Sequence, residues 1–325
     1  MRRLRRVAGA LLPERVRIAL GGQAVTTTPD SSTAARIAYL EEVVRYLDFQ
    51  VASQASLLRY LSAPVIDDLP QVRETKASFD FQWAEIPTGR YMLENEQFRQ
   101  EAPGYVCEFT QLPPEWFKGK SVIDAGCGLG RYSWALCKLG ARVLSLDQSE
   151  HGLARTREAC KDFPSHRVMK VDLLHELPLT EQVDLVWSFG VLHHTGDTYG
   201  AFKHVAKWVK PGGMIYLMLY GKPREGHASD YAELNEYDEW RRRTRNMDLR
   251  EKLHAVREHM RTVGFRVKGE EHVHGYFDAV SPPINDLYVF EEIEAWLIEA
   301  GFEDIKQTVR TRNLHIVATK KRDTP

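Results

Sequence analysis

Short apolar runs alternate with helical stretches through the middle of this chain. Val122-Ile123, Arg142-Val-Leu-Ser-Leu146, Arg167-Val-Met-Lys-Val171, Val183-Asp-Leu-Val-Trp-Ser-Phe189 and Met214-Ile-Tyr-Leu-Met-Leu-Tyr220 each read as a strand. Helix-forming sequence fills residues 131–139, 150–162 and 201–209; Gly140 stops the first stretch and Pro211-Gly212-Gly213 the last. This alternation predicts an α/β fold, a doubly wound and mostly parallel sheet with helices on both faces. Residues 291–300 predict a further helix. Residues 304–310 and 313–319 predict two closing strands, an antiparallel hairpin around Thr311-Arg312.

The flanks are patterned differently. Ile37, Leu40, Val44, Leu47, Val51, Leu58 and Leu61 recur at steps of three and four, broken at Gln54, which predicts a long amphipathic helix. Such a stripe packs on its own domain or forms a homodimer contact. Residues 71–118 are aromatic and irregular in pattern. Residues 232–245 and 249–262 predict two helices, the second with an apolar stripe at Leu249, Leu253, Val256 and Met260, and residues 272–286 a polar-aromatic loop. The resulting division is a basic tail and linker (1–33), an N-terminal helical and aromatic lid region (34–118), a core (119–220), a helical insertion after the fifth strand (221–289), and the end of the core (290–325).

Polar groups gather where the strands end. Asp124, Asp147 and Asp172 close the first three strands, and Ser188 to His194 closes the fourth. Ligands bind outside the carboxyl ends of such strands, so these four clusters converge on one rim. After Asp124 come Gly126, Gly128 and Gly130, which permit positive φ and close backbone approach at the start of a helix. The spacing is G-x-G-x-G, not the G-x-G-x-x-G of dinucleotide sites. A carboxylate two residues before the first glycine suits a ligand bearing an ammonium group and repels a pyrophosphate.

Composition narrows the field further. The 325 residues carry 44 basic and 45 acidic side chains, a net charge of −1 that argues against a nucleic-acid partner. Cys107, Cys127, Cys137 and Cys160 form no C-x-x-C pair, so neither a zinc site nor a disulfide framework is expected, and a reducing, cytoplasmic setting is the default. No run of about 18 apolar residues predicts a transmembrane helix. Six arginines between Arg2 and Arg17 alternate with apolar residues. That segment is either a basic tail or a peripheral contact with an anionic membrane surface.

Ser121-Val-Ile-Asp-Ala-Gly-Cys-Gly-Leu-Gly-Arg131 resembles the first motif of the class I S-adenosylmethionine (SAM)-dependent methyltransferases, and Trp187-Ser-Phe-Gly-Val-Leu-His-His-Thr195 resembles the S-x-G-V-L-H-H-T stretch of many bacterial members. Val209-Lys-Pro-Gly-Gly213 is similar to their L-K-P-G-G, with valine for leucine. The resemblance covers about residues 119–220 and 290–320. It implies a Rossmann-like seven-stranded sheet and SAM as cofactor. Asp124, Gly126, Cys127, Gly128 and Gly130 would then meet its amino-acid end, Asp147 and Gln148 its ribose, and Asp172 and Leu173 its adenine. Ser188, Phe189 and Gly190 would border the reacting end. Phe79-Asp-Phe-Gln-Trp83 is similar to an F-G-x-x-W lid segment, with Asp80 for glycine, and would bring Trp83 over the cofactor.

Methyl transfer depends on positioning, and a hydroxyl acceptor also needs a general base. His193 and His194 are the first candidates for that base, with Tyr220 beside them. His272, His274, Tyr276 and Asp278 are candidate substrate contacts from the insertion, together with Tyr220. No metal is expected: His272-x-His274 lacks a partner set. The leading expectation is methyl transfer to an oxygen of a small molecule, of secondary-metabolite, sugar or quinone/lipid type. The alternatives are a tRNA- or rRNA-modifying methyltransferase using the Arg-rich start and Arg241–Arg245, and a catalytically inactive SAM-binding partner protein. A dehydrogenase is disfavoured by the glycine spacing.

Overall fold

The structure, a computed structural model, describes residues 69–86, 88–175, 181–262 and 269–322. The basic N-terminal segment, with its membrane expectation, and the amphipathic stretch through Leu61, with its homodimer expectation, lie outside these residues.

The strand β1 (Ser121–Ala125) is central because both its faces are apolar. Val122 joins a core with Tyr132, Leu136 and Trp187, while Ile123 and Ala125 join a second core with Phe202, Ile215 and Leu297. A strand buried on both sides belongs inside a parallel sheet. Toward one edge β2 (Arg142–Asp147) and β3 (Arg167–Lys170) follow in parallel; toward the other lie β4 (Val183–Phe189) and β5 (Val209–Leu219), also parallel. The closing strands β6 (Phe302–Arg310) and β7 (Leu314–Lys320) form the predicted antiparallel hairpin, and β7 pairs antiparallel with β5. The order β3-β2-β1-β4-β5-β7-β6 is the expected seven-stranded, mostly parallel, Rossmann-like sheet. The chain runs from β1 outward to β2 and β3 and then crosses back to β4 on the other side of β1, which opens a crevice at the carboxyl ends of β1 and β4.

Four helices named here in chain order flank the site. They are α1 (Pro70–Glu85), α2 (Glu96–Thr110), α3 (Arg131–Lys138) and α4 (Glu150–Ala159). Phe98, Ala102 and Val106 of α2 and Ala135 and Leu136 of α3 cover one sheet face. The opposite face is covered by α5 (Thr198–Ala206) and by α9 (Phe290–Glu299), the last helix of the chain. The insertion holds α6 (Ala228–Thr244), α7 (Leu249–Thr262) and α8 (Val273–Val280). Its own apolar core joins Trp240, Leu253, Val256, Met260 and Phe277, with Ile86 from the end of α1. Each such side chain contributes about 1.5–3 kcal/mol on full burial.

Three elements depart from the sequence expectation. Residues 71–118 are two helices, not irregular chain. The buried face of α1 is Val72, Thr75, Ser78 and Gln82, so three polar residues occupy the positions where an apolar stripe is normally sought. In α2, capped by Asn95 through the Phe98 amide, Pro103 interrupts a buried row of Phe98, Ala102, Val106 and Thr110. The supposed loop at 272–286 begins with α8, a helix of eight residues that is buried around most of its circumference. In addition, β5 starts at Val209, so Pro211-Gly212-Gly213 lies within the strand beside a register shift at Val183–Leu185.

Candidate active site

The glycine turn is fixed from both sides. Gly126, Gly128 and Gly130 all have positive φ (86°, 52° and 80°). A Cβ on Gly126 would lie 2.4 Å from a Val191 methyl carbon, and one on Gly130 would lie 2.8 Å from the Thr156 backbone. The amides of Gly126 and Cys127 donate to the Leu146 carbonyl, tying the turn to β2 (2.8 and 2.9 Å). Thr156 on α4 donates to the Gly128 carbonyl at 2.9 Å.

Asp147, at the end of β2, holds the same turn. Its Oδ2 accepts from the Gly128 amide at 2.8 Å and its Oδ1 from the Ser149 amide at 2.9 Å. Burial is the largest influence on this carboxyl and raises its pKa, against the amide hydrogen bonds. Asp124 is 2% exposed, and Ser133 donates to its Oδ2 at 2.5 Å. Burial foremost pushes Asp124 up to about 7; the charge of Asp147 adds to this, and Ser133 and Arg131 oppose it.

Two cavities meet at the turn. The larger, of about 800 Å³, is bordered by Asp124, Gly126, Cys127 and Gly128 on the cofactor side and by Phe109, Phe189, Tyr220, Tyr237, His274 and Asp278 farther out. That volume lies within the range of roughly 300–1,000 Å³ typical of small-molecule sites. The smaller, of about 80 Å³, is bordered by Asp147, Gln148, Asp172, Leu173 and His194. Phe79, Trp83, Gly126, Gly190 and Val191 line both and mark the junction.

Helix α1 roofs the junction. Trp83 lies against Gly128, where an added Cβ would meet its ring at 3.0 Å, and stacks on His274 of α8 with ring centroids 5.3 Å apart. Lys76 reaches Asp172 Oδ2 at 2.5 Å, while Asp172 Oδ1 accepts from the Leu174 amide. Asp80 accepts from Ser149 Oγ at 2.6 Å and pairs with His151 at 3.1 Å. Lys76 and Asp80 were not among the residues expected from the sequence, although the aspartate standing for glycine at position 80 was a signal. Ser188 does not line either cavity; it donates to the Ala125 carbonyl across the sheet.

The bases proposed from the sequence cluster together, with His193 and His194 ring centroids 4.2 Å apart, but differ in the space they face. His193 is fully buried, lines neither cavity and lies behind the Tyr220 ring at 3.9 Å between centroids. Burial holds its pKa well below the ordinary range, so it is a neutral ring. His194 faces the smaller cavity. Its Nδ1 lies 2.7 Å from the Ile284 carbonyl, which can only accept, so Nδ1 carries the hydrogen and Nε2 the lone pair. Burial lowers its pKa as well. Tyr220 faces the larger cavity and donates to Asp278 Oδ2 at 2.9 Å. Burial raises the pKa of Asp278, against His194 and the tyrosine hydrogen bond.

Two of the expected substrate contacts are misplaced. His272 sits near Glu271, and Tyr276 donates to Glu236 at 2.6 Å amid Tyr237 and Trp240; neither lines the cavity. Because α8 is a helix, only the face bearing His274 and Asp278, one turn apart, reaches the cavity. Burial holds His274 down to about 3. Four arginines, Arg90, Arg131, Arg241 and Arg312, also border the cavity. Arg312 reaches Glu233 and the Gly221 carbonyl, and Arg241 reaches Asp238 and the Ala279 carbonyl. In the sequence Arg131 is only the end of the glycine motif and Arg241 only part of a basic run, and nothing in it joins the four to one cavity. Among the described residues no group of three His, Cys, Asp or Glu is arranged to hold a metal.

These groups fit SAM. Asp124, which borders the larger cavity with Gly126 and Gly128, can accept from an ammonium group and Asp147 from a pair of hydroxyls, whereas Gly130 lines neither cavity and packs on Thr156.

Comparison with known proteins bears on the same segment. Residues 123–215 match the family described as "Methyltransferase domain". Among curated proteins, the chain is similar to the ubiquinone biosynthesis O-methyltransferases of Stutzerimonas stutzeri (31% identity over 34% of this chain and 48% of that protein) and Sinorhizobium fredii (34% over 38% and 51%). The match thus spans about half the length of these relatives. Among solved structures it is similar to magnesium protoporphyrin IX methyltransferase from Synechocystis PCC 6803 with bound SAH, at 18% identity and TM-score 0.45 over 74% of this chain and 93% of that one. The family match falls on the strands β1 to β5 that carry the glycine turn and the strand-end acids, and makes residues 123–215 similar to a methyltransferase domain.

Proposed function

We propose that this chain transfers a methyl group from SAM to an oxygen of a small-molecule acceptor held in the larger cavity. One observation carries this reading: the cavity bordered by the glycine turn and Asp124 continues, past the junction at Trp83 and Gly190, to the Tyr220–Asp278 pair. When bound, SAM supplies an electrophilic methyl group on a sulfonium. The protein's part is to orient, to exclude water and to receive a proton. Asp124, beside the Gly126 backbone, holds the ammonium of the amino-acid end, and Asp147 and Gln148 the ribose. Asp172 takes the adenine once Lys76 yields it. Phe79 and Trp83 cover the junction and keep it dry.

The acceptor lies among Phe109, Phe189 and Tyr237, with its nucleophilic oxygen toward Tyr220 and Asp278. Asp278 is the proton acceptor there. Its Oδ2 is occupied by the tyrosine hydroxyl, and its raised pKa makes it a stronger base than a surface carboxylate. The secondary-metabolite, sugar and quinone/lipid classes all fit a cavity of this size with mixed aromatic and arginine walls.

Titration calorimetry with S-adenosylhomocysteine (SAH), followed by SAH release from SAM over a panel of hydroxylated small molecules, tests the reading. Micromolar SAH binding and turnover that falls at least tenfold in Asp278→Asn at unchanged SAH affinity are expected. Absence of SAH binding would refute the cofactor assignment; full turnover in Asp278→Asn would refute the acceptor-side assignment.

A further inference from the structure

We propose that Ser133, Ser145 and His166 are positioning residues that pass the proton of Asp124 along a buried chain behind the glycine turn. In this arrangement the acid at the cofactor's amino-acid end gains and loses charge from the back of the sheet, not through the ligand cavity. The inference rests on the cofactor reading of Asp124.

The chain is continuous. Asp124 and Ser145 are register partners on β1 and β2. Ser133, on α3, donates to Asp124 Oδ2 at 2.5 Å. Ser145 donates to Ser133 at 2.7 Å, and His166 Nε2 lies 2.8 Å from Ser145 Oγ. Both serines are fully buried, and His166, just before β3, is 8% exposed. Each hydroxyl has one hydrogen. With both hydrogens directed toward Asp124, the His166 Nε2 must donate to Ser145, which fixes the Nε2–H tautomer.

The opposite arrangement has the same heavy-atom positions. A protonated Asp124 donates to Ser133, Ser133 to Ser145, and Ser145 to a bare His166 Nε2, whose ring then carries its hydrogen on Nδ1. Converting this arrangement to the first moves one proton along each hydrogen bond. Asp124 loses a proton, Nε2 gains one, and the Nδ1 proton leaves to water, so atoms and charge balance. The imidazole remains neutral in both arrangements.

The surroundings support that path. Burial lifts Asp124 to about 7, within reach of physiological pH, with Asp147 raising it and Arg131 lowering it. Cys127, Tyr132 and Cys160 also lie within its field and are neutral at that pH. Burial holds His166 down to about 4, helped by Arg167 and Arg157, so its ring relays a proton without storing one.

The test combines SAH calorimetry with the 15N-detected tautomer of His166 in the full chain. In wild type, SAH affinity is expected to fall about tenfold per pH unit below pH 7, because one proton must leave Asp124. The His166 hydrogen should move from Nδ1 to Nε2 both on raising pH through 7 and on adding SAH at pH 6. Ser145→Ala interrupts the chain; the tautomer should then ignore both SAH and pH, and the pH midpoint of SAH affinity should shift upward. A wild-type tautomer that stays unchanged across pH 5.5–8.5 overturns the proposal, and this readout does not depend on a variant folding. Lack of SAH binding at pH 8.5 would instead overturn the cofactor reading, while the ligand-free pH titration still decides whether the relay operates.

Discussion

Asp147 anchors the glycine turn in this structure and is proposed to bind the ribose, and one substitution separates the two tasks. Its two oxygens accept from the Gly128 and Ser149 amides, anchoring the glycine turn to the end of β2. In the proposed complex the same carboxylate also accepts from the ribose hydroxyls. Asparagine keeps the shape but replaces one oxygen with an NH₂ donor, so one amide faces a donor. A hydrogen bond to a charged acceptor contributes about 1.5–3 kcal/mol, and an unsatisfied buried donor costs a further 1–3. Asp147→Asn should therefore destabilise the ligand-free protein by about 2.5–6 kcal/mol, read from urea unfolding midpoints. Loss of one or two charge-assisted hydrogen bonds to the ribose should weaken SAH by about 1.5–3 kcal/mol, or roughly 10–150-fold at 1.4 kcal/mol per decade. Calorimetry at a temperature where both proteins are folded measures this separately. A destabilised variant with SAH affinity within twofold of wild type would confine Asp147 to the turn and refute its ribose role. An undisturbed stability would refute the anchoring role.

Two further outcomes are expected. Lys76→Ala removes the pair with Asp172, whose side chains are 29% and 24% exposed, so stability should change by no more than about 1 kcal/mol; SAH association by stopped flow should quicken severalfold, and an unchanged rate would mean that α1 does not control the smaller cavity. Burial holds His315 down to about 4, below its unfolded value near 6.5, so the folded state binds that proton less well, and stability should rise with pH across about 4–6.5 and fall as the solution is acidified. In His315→Gln the urea midpoint should lose less between pH 7 and pH 5 than in wild type, and an equal loss would place the acid sensitivity elsewhere.

The cofactor half was legible in the sequence because it is local. A strand end, a glycine turn and a helix start occupy consecutive residues, and Asp147 and Asp172 fall at the matching ends of the next strands. The proposed acceptor half was legible only in part: Tyr220, His274 and Asp278 were expected there and line the larger cavity, but the pairings that join distant segments were not. Tyr220 meets Asp278 across 58 positions, and Arg312 meets Glu233 across 79. No period or short motif records such pairs. The same holds for α1, whose buried face is built from Thr75, Ser78 and Gln82; Ser78 bonds Ser281, and Gln82 reaches His274. A polar helix face is invisible to hydrophobic patterning and becomes intelligible only when its partners are in place.

The histidine pair shows where sequence proximity to a site overstates chemistry. His193 accepts the Asp286 amide through its carbonyl, and the His194 ring donates to the Ile284 carbonyl. Both therefore fasten the segment after α8 to the end of β4, and that segment leads from Asp278 back to the core. On this account His194 is a staple, and what matters is a donor at the Nδ1 position. His194→Asn retains a donor near that point, whereas His194→Ala removes it and leaves a cavity. The alanine variant should lose about 2–4 kcal/mol of stability from the missing hydrogen bond and packing. The asparagine variant should lose less and keep kcat within a few-fold. If His194 were the base instead, both variants would lose kcat by about 10²–10⁴-fold, the usual contribution of general-base catalysis, and asparagine would do so without a matching loss of stability. Urea midpoints and SAH release from SAM, measured on the same two proteins, distinguish the staple from the base.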